Sequence, residues 1–176
     1  MIIRLYPKFK PKIIFKKKVF YCQIGKNGVS PIYKKKEGDK RTPSGKWFIE
    51  KIFIRPDKVK LQSSKKKIRC KIFNIYKNVL WCDDVNNKYY NKLVKHDPKK
   101  QIMFSHEKLY RIDDVYDLFI DLSYNKKPIV KGKGSAIFIH CSFSDFRKTN
   151  GCIALKKKDL KFLINNLQKK NYIYIR

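Results

Sequence analysis

The chain is short of acid. Its 176 residues hold 14 Asp and Glu against 44 Lys and Arg, a formal net charge of +30. A field of that sign attracts polyanions, and nucleic acid, anionic lipid surfaces and anionic wall polymers all qualify. The excess is mostly lysine in a chain also rich in Ile and Asn, a composition that A+T-rich coding produces without selection for any partner. Long apolar runs are missing too. No stretch approaches the ~20 residues that span a bilayer. The N-terminal MIIRLYPKFKPKIIFKKKVFYC is broken by Lys or Pro every few positions, so it contains no apolar core of a signal peptide. These absences predict a soluble polypeptide with no membrane span, cytoplasmic, exported by a route the sequence does not display, or a processed form.

Metal-ligand spacing is also absent. The five cysteines (Cys22, Cys70, Cys82, Cys141 and Cys152) are odd in number, irregularly spaced and never paired as C-x-x-C, and His96 and His106 stand at no recognisable ligand spacing. Neither a metal nor a closed disulfide framework is expected, and at least one thiol stays free or pairs between chains. No internal repeat and no linker interrupts the chain, whose length suits one domain over residues 1–176. What is present is apolar: 43% hydrophobic and 14% aromatic residues suffice to enclose a core despite 33% charge.

Residues 2–6, 12–24 and 46–54 are rich in Ile, Val, Phe, Tyr and Trp and read as strands. Residues 25–30 suit a tight connection, and EGDKRTPSG (37–45) is a turn-rich loop on which function can sit. The middle, 56–108, has weak periodicity and Lys-rich stretches such as 63–69, and long loops are expected there. YDLFIDLSY (116–124) and SAIFIHC (135–141) read as neighbouring central strands. Leu160, Leu163, Ile164 and Leu167 recur at helical spacing, which predicts a helix from Asp159 with Lys169 and Lys170 in its last turn, and YIYI (172–175) reads as a final strand. The architecture expected is a mostly antiparallel β-domain with a late helix packed on it.

The segment TNGCIAL (149–155) sets Cys152 directly after Gly151, which permits close approach of backbone to a bound carbonyl. Adjacent backbone N–H groups can there form an oxyanion site. His140 ends the apolar strand AIFIH twelve positions upstream, far enough for the chain to fold back and bring an imidazole to the thiol. A backbone carbonyl or the Ser142 hydroxyl would orient that imidazole. A cysteine and a histidine in one chain also arise by chance, because free cysteines are usually inert packing.

The pair IFIH (137–140) and TNGC (149–152) resembles the signature of the YkuD-like L,D-transpeptidases, and RTPSGKWFI (41–49) is similar to that family's Thr-Pro-x-Gly turn and strand. Further segments resemble a stand-alone proteobacterial subgroup: WCDD (81–84), YYN (89–91), SHEKLYRIDDVYD (105–117) and SYNKKPIVKGKGSAIFIH (123–140). Many family members read Ser-His-Gly-Cys-x-Arg, whereas Asn150 and Ala154 stand here at the His and Arg positions, which removes a polar donor as in the subgroup.

The resemblance implies a mainly β, YkuD-like sandwich with a late helix, and a cysteine acyltransferase acting on peptidoglycan stem peptides in the cell envelope or periplasm. It implies Cys152 as nucleophile, His140 as base, and Gly151 with the Cys152 N–H as oxyanion site. Thr149, Asn150, Ser142, Tyr124, Asn125, Arg111 and Glu107 would bind substrate. No cofactor is implied. Hydrolysis of the same peptides, as an L,D-carboxypeptidase or endopeptidase, is the neighbouring activity. The competing class is a basic module for nucleic acid or wall polymer. Against it, the cations are spread along the whole chain and standard nucleic-acid signatures are absent, so only non-specific attraction to nucleic acid is expected.

Overall fold

The computed structural model describes residues 2–61, 70–168 and 170–176; the Lys-rich stretch 63–69 and Lys169 lie outside them. In chain order the strands are β1 (Ile2–Tyr6), β2 (Lys12–Phe15), β3 (Lys18–Gln23), β4 (Val29–Ser30), β5 (Thr42–Pro43), β6 (Gly45–Ile54) and β7 (Ile72–Asn74). They continue as β8 (Val79–Cys82), β9 (Lys92–Lys95), β10 (His106–Lys108), β11 (Leu118–Leu122), β12 (Phe138–Cys141) and β13 (Ile153–Leu155). The helix α1 (Lys157–Asn165) and β14 (Tyr172–Ile175) complete the chain.

Eight strands form a closed ring, β11-β12-β13-β3-β2-β1-β14-β6, because β6 pairs with β14 through Gly45–Phe48 and with β11 through Ile49–Ile54. The ring is mostly antiparallel, with two parallel joints at β1–β14 and β12–β13. Inward residues of every ring strand, among them Ile3, Ile13, Phe20, Ile52, Ile120, Ile139, Ile153 and Ile173, fill one core together with Leu160, Leu163, Ile164 and Leu167. A second core lies on the opposite face of β6, β11 and β12, where Phe53, Phe119 and Phe138 stack under Trp81, Val79 and Leu109. A three-stranded sheet, β10-β8-β9, covers that face. This explains why β11 and β12 are buried at every position: a strand with a core on both faces shows no alternation.

The structure corrects four expectations. Residues 12–24 are a hairpin and not one strand, since Lys16 and Lys17 take φ values of 49° and 61° and reverse the chain. Two-residue reversals with positive φ normally carry Asn or Gly, so two lysines give no sequence signal. The middle of the chain is not mainly loops: β8 to β10 form the covering sheet, in strands of three or four residues too short to show a period. The helix begins at Lys157 and ends at Asn165, so Lys170 lies beyond its last turn. Finally, β13 separates Cys152 from α1, so the cysteine opens a strand and does not sit against the helix.

Candidate active site

Parallel pairing of β12 with β13 sets Ile139 beside Ile153 and His140 beside Ala154. One step back along both strands, Cys152 falls beside Phe138, and the Phe138 N–H donates to its sulfur at 3.3 Å. Side chains two apart on a strand share a face, so Phe138, His140 and Cys152 all point to the second core. Strands ~4.8 Å apart with ~3.3 Å per residue put the two backbones about 8 Å apart, a span that an imidazole and a thiol can bridge.

Both groups sit at the floor of a cleft of about 550 Å³, lined also by Lys35, Glu37, Asp83, Glu107, Arg111, Tyr116, Thr149 and Asn150. His140 is buried, with Tyr116 and Phe143 edge-on to its ring at 5.5 and 6.5 Å between centroids. Its Nδ1 lies 2.8 Å from the Cys141 carbonyl oxygen. A carbonyl only accepts, so Nδ1 carries the proton and Nε2 keeps a free lone pair. The backbone carbonyl, and not the Ser142 hydroxyl, therefore orients the ring; Ser142 instead donates its N–H to Leu155 O. Burial drives the imidazole pKa down to about 4. The Cys152 thiol, partly exposed at the cleft floor, donates to Ala136 O at 3.0 Å. Burial pushes its pKa up to about 12 against the smaller opposing effect of the Phe138 N–H. At rest both groups are neutral.

The loop before Cys152 is pinned by hydroxyls. Thr149 Oγ1 donates to Cys152 O at 2.6 Å and accepts the Gly151 N–H at 3.2 Å. Thr42 Oγ1 accepts the Gly25 N–H at 2.9 Å and donates to Gly151 O at 2.8 Å. The threonine of the Thr-Pro turn thus ties three separate segments at a buried point. Glycine is required at both ends of that tie: a Cβ on Gly25 would meet Lys40 O at 2.3 Å, and Gly151 has a φ of 138° with Arg41 O 3.1 Å from a Cβ. The Gly151 N–H is directed at Thr149 and not at the cleft, which corrects its expected part in the oxyanion site.

The Ala136 side of the cleft is fixed by Asn91, whose side chain accepts from Trp81 Nε1 and Ala136 N at 3.1 Å each and donates to Asn125 O at 2.7 Å. The bond from the Ala136 N–H holds the residue whose own carbonyl receives the Cys152 thiol. Thr149, Asn150, Arg111 and Glu107 line the cleft with Cys152, whereas Tyr124 and Asn125 face a separate cavity of about 430 Å³ beside Trp47 and Tyr33. There Asn125 closes a turn onto Val130 and Gly134. Arg111 is held by Asp113 at 2.8 and 2.5 Å, and Glu107 accepts from the Tyr116 hydroxyl at 3.2 Å. Burial raises the Glu107 pKa, with the nearby Asp83 charge adding to it. No guanidinium stands at Ala154, which is fully buried beside His140.

Sequence reasoning missed Lys35, Asp83 and Tyr116. Lys35 is buried at the cleft, bonded to Asp39 Oδ1 and Lys36 O at 2.8 Å each, and one lysine in a run of three carries no signal. Asp83 lies within the WCDD segment, and its Oδ1 is a buried oxygen with no partner among the described residues. Among the described residues, no three His, Cys, Asp or Glu side chains are grouped to hold a metal ion. All five cysteines are free thiols.

Comparison with curated proteins gives no match. A family model, described as the L,D-transpeptidase catalytic domain (YkuD), matches residues 12–175. With nearly the whole chain matched, and its Cys and His signature meeting at one cleft, the protein belongs to the YkuD family of L,D-transpeptidase catalytic domains, which acts on peptidoglycan peptides.

Proposed function

We propose that the protein is an L,D-transpeptidase that acylates Cys152 with a peptidoglycan stem peptide and passes the acyl group to an amine. The observation that carries this reading is the placement of Cys152 and His140 on one strand-pair face at the floor of one cleft. As the thiol turns from Ala136 O towards the carbonyl of the third stem residue, His140 Nε2 takes its proton. The neutral resting pair makes that transfer part of the attack. We assign the developing oxyanion to the Cys152 N–H. The C–N bond to the terminal D-amino acid breaks as imidazolium returns the proton to the leaving amine, leaving a thioester. An acceptor amine then attacks the thioester, gives its proton to Nε2 and releases the thiol.

The unpartnered Asp83 oxygen and Glu107 give the cleft an acidic wall suited to the side-chain ammonium of a diamino acid. Lys35 and Arg111 offer charge to stem carboxylates across it. On this reading the substrate lies in the cell envelope, and the protein would act there.

Intact mass after incubation with disaccharide tetrapeptide tests the reading, beside the Cys152→Ala variant. A thioester on Cys152 with crosslinked dimers is expected. Tripeptide alone would make the enzyme a hydrolase of the same bond. Equal turnover by Cys152→Ala would remove the nucleophile assignment.

A further inference from the structure

The side of the molecule built from β1, β2 and β3 carries charge of one sign. Glu37 is the first acidic residue, and the 36 positions before it hold 11 lysines and arginines. Among the described residues no ion pair involves a cation before Lys35. The acids all lie later in the chain, and several are paired with cations there, as Asp39 is with Lys35 and Asp117 is with Lys58 and Lys157.

Of the large apolar side chains on this basic surface Phe9 stands out furthest, ahead of the half-exposed Val19 and Tyr21. Phe9 is 103% exposed at the tip of the β1–β2 connection, flanked by the exposed Lys8 and Lys10 and bracketed by Pro7 and Pro11. Its φ is 59°, a left-handed conformation costing a bulky residue about 1 kcal/mol or more. No burial of the ring offsets that cost, so folding alone does not account for the residue. Beside the loop, cross-strand pairing sets Tyr6 opposite Lys12 and Lys12 opposite the half-exposed Tyr21.

Rings that stack on bases or sugars lie flat on a platform, whereas Phe9 projects from a turn. A projecting ring between lysines fits the boundary between water and acyl chains. The ring passes between headgroups, while the ammonium groups stay at lipid phosphates with their stems along the apolar side. We propose that the protein docks on anionic membrane surfaces through the Pro7–Pro11 loop, with Phe9 entering the interface and Lys8, Lys10 and Lys12 at the headgroups. None of Lys8, Phe9, Lys10 and Lys12 lines the catalytic cleft, so this docking is independent of the catalytic reading.

The full chain is cosedimented with vesicles of phosphatidylcholine, and of phosphatidylcholine mixed with phosphatidylglycerol, and its retention on immobilised heparin is measured in parallel. Binding is expected on the mixed vesicles only. Phe9→Ser weakens it about tenfold, the effect of withdrawing most of one aromatic side chain from an apolar phase, and leaves heparin retention unchanged. Phe9→Trp keeps vesicle binding. Removing either flanking lysine as Lys8→Ala or Lys10→Ala weakens it about fivefold. Because Phe9 is fully exposed, Phe9→Ser folds as the parent does, which an unchanged thermal midpoint verifies. Vesicle binding unaffected by Phe9→Ser would leave only delocalised charge and overturn the proposal. Equal losses on vesicles and heparin would overturn it in favour of a surface for soluble polyanions.

Discussion

The neutral resting pair makes a quantitative prediction for the ligand-free protein. Burial takes the Cys152 thiol from 9.0 to about 12, so at neutral pH its thiolate fraction falls by about three decades, or ~4 kcal/mol. A more basic thiolate is also more nucleophilic, with a Brønsted slope of ~0.4–0.5, which returns between one and two decades. Alkylation of Cys152 by iodoacetamide should therefore run about 30–60 times slower than that of a free thiol at pH ~7. Its rate should rise about tenfold per pH unit from pH ~6 to ~9, with no plateau. The half-buried Cys70 reacts first, so the measurement belongs in a Cys70→Ser background, with the alkylated residue identified by peptide mass. A plateau at and above pH ~6 would mean that Cys152 and His140 rest as thiolate and imidazolium. That result would refute the argument that burial dominates both groups, and the proton transfer would then precede attack.

His140 also links the fold to acid. Its folded pKa, about 4, lies below the ordinary 6.5, so its burial contributes stability fully present above pH ~6.5 and lost as pH falls towards ~4. Denaturant unfolding should show a loss of up to ~3 kcal/mol across that window, and His140→Gln should flatten this part of the profile. Thr42→Val removes the buried oxygen that joins Gly25 to Gly151; urea titration should show a loss of about 2–4 kcal/mol, and thioester formation should slow, while Thr42→Ser keeps both bonds. In the β2–β3 reversal, replacing Lys16 and Lys17 by Asn and Gly should raise stability by roughly 1 kcal/mol through relief of two left-handed lysines, read as a higher thermal midpoint. A lower midpoint would show that the Lys16 bond to Asn166 outweighs the backbone term.

The parts of the fold legible in the sequence were those where one local pattern decides the structure. The helix stripe of Leu160, Leu163 and Ile164 and the apolar runs of β11 and β12 belong there. The Lys16–Lys17 turn was hidden because tertiary pairing of β2 with β3 imposes a backbone that its residues disfavour. The covering sheet was hidden because its strands are short and gain their stability from Phe53, Phe119 and Phe138 far away in sequence. At the site, Cys152 and His140 were readable as a motif. The orienting carbonyl of Cys141 and the thiol acceptor at Ala136 were not, because a backbone atom leaves no mark on residue identity. Tyr124 and Asn125 belong to the same segment as His140 but line a separate cavity, Asn125 being held there by Gly134 O.

The closed ring has a consequence for the order in which the molecule comes into being. Within this domain Tyr172–Ile175 is synthesised after every other strand of the ring, and it is the piece that bridges β1, which precedes them, to β6. Until it leaves the ribosome the sheet is a split cylinder with two raw edges, and an interior rich in isoleucine is open to solvent along the gap. The β1–β14 joint is the most sequence-distant pairing in the ring, and such contacts form slowly. A nascent chain stalled before residue 172 therefore offers β1 and β6 to neighbouring chains, so that interrupted synthesis is a condition under which this protein should aggregate.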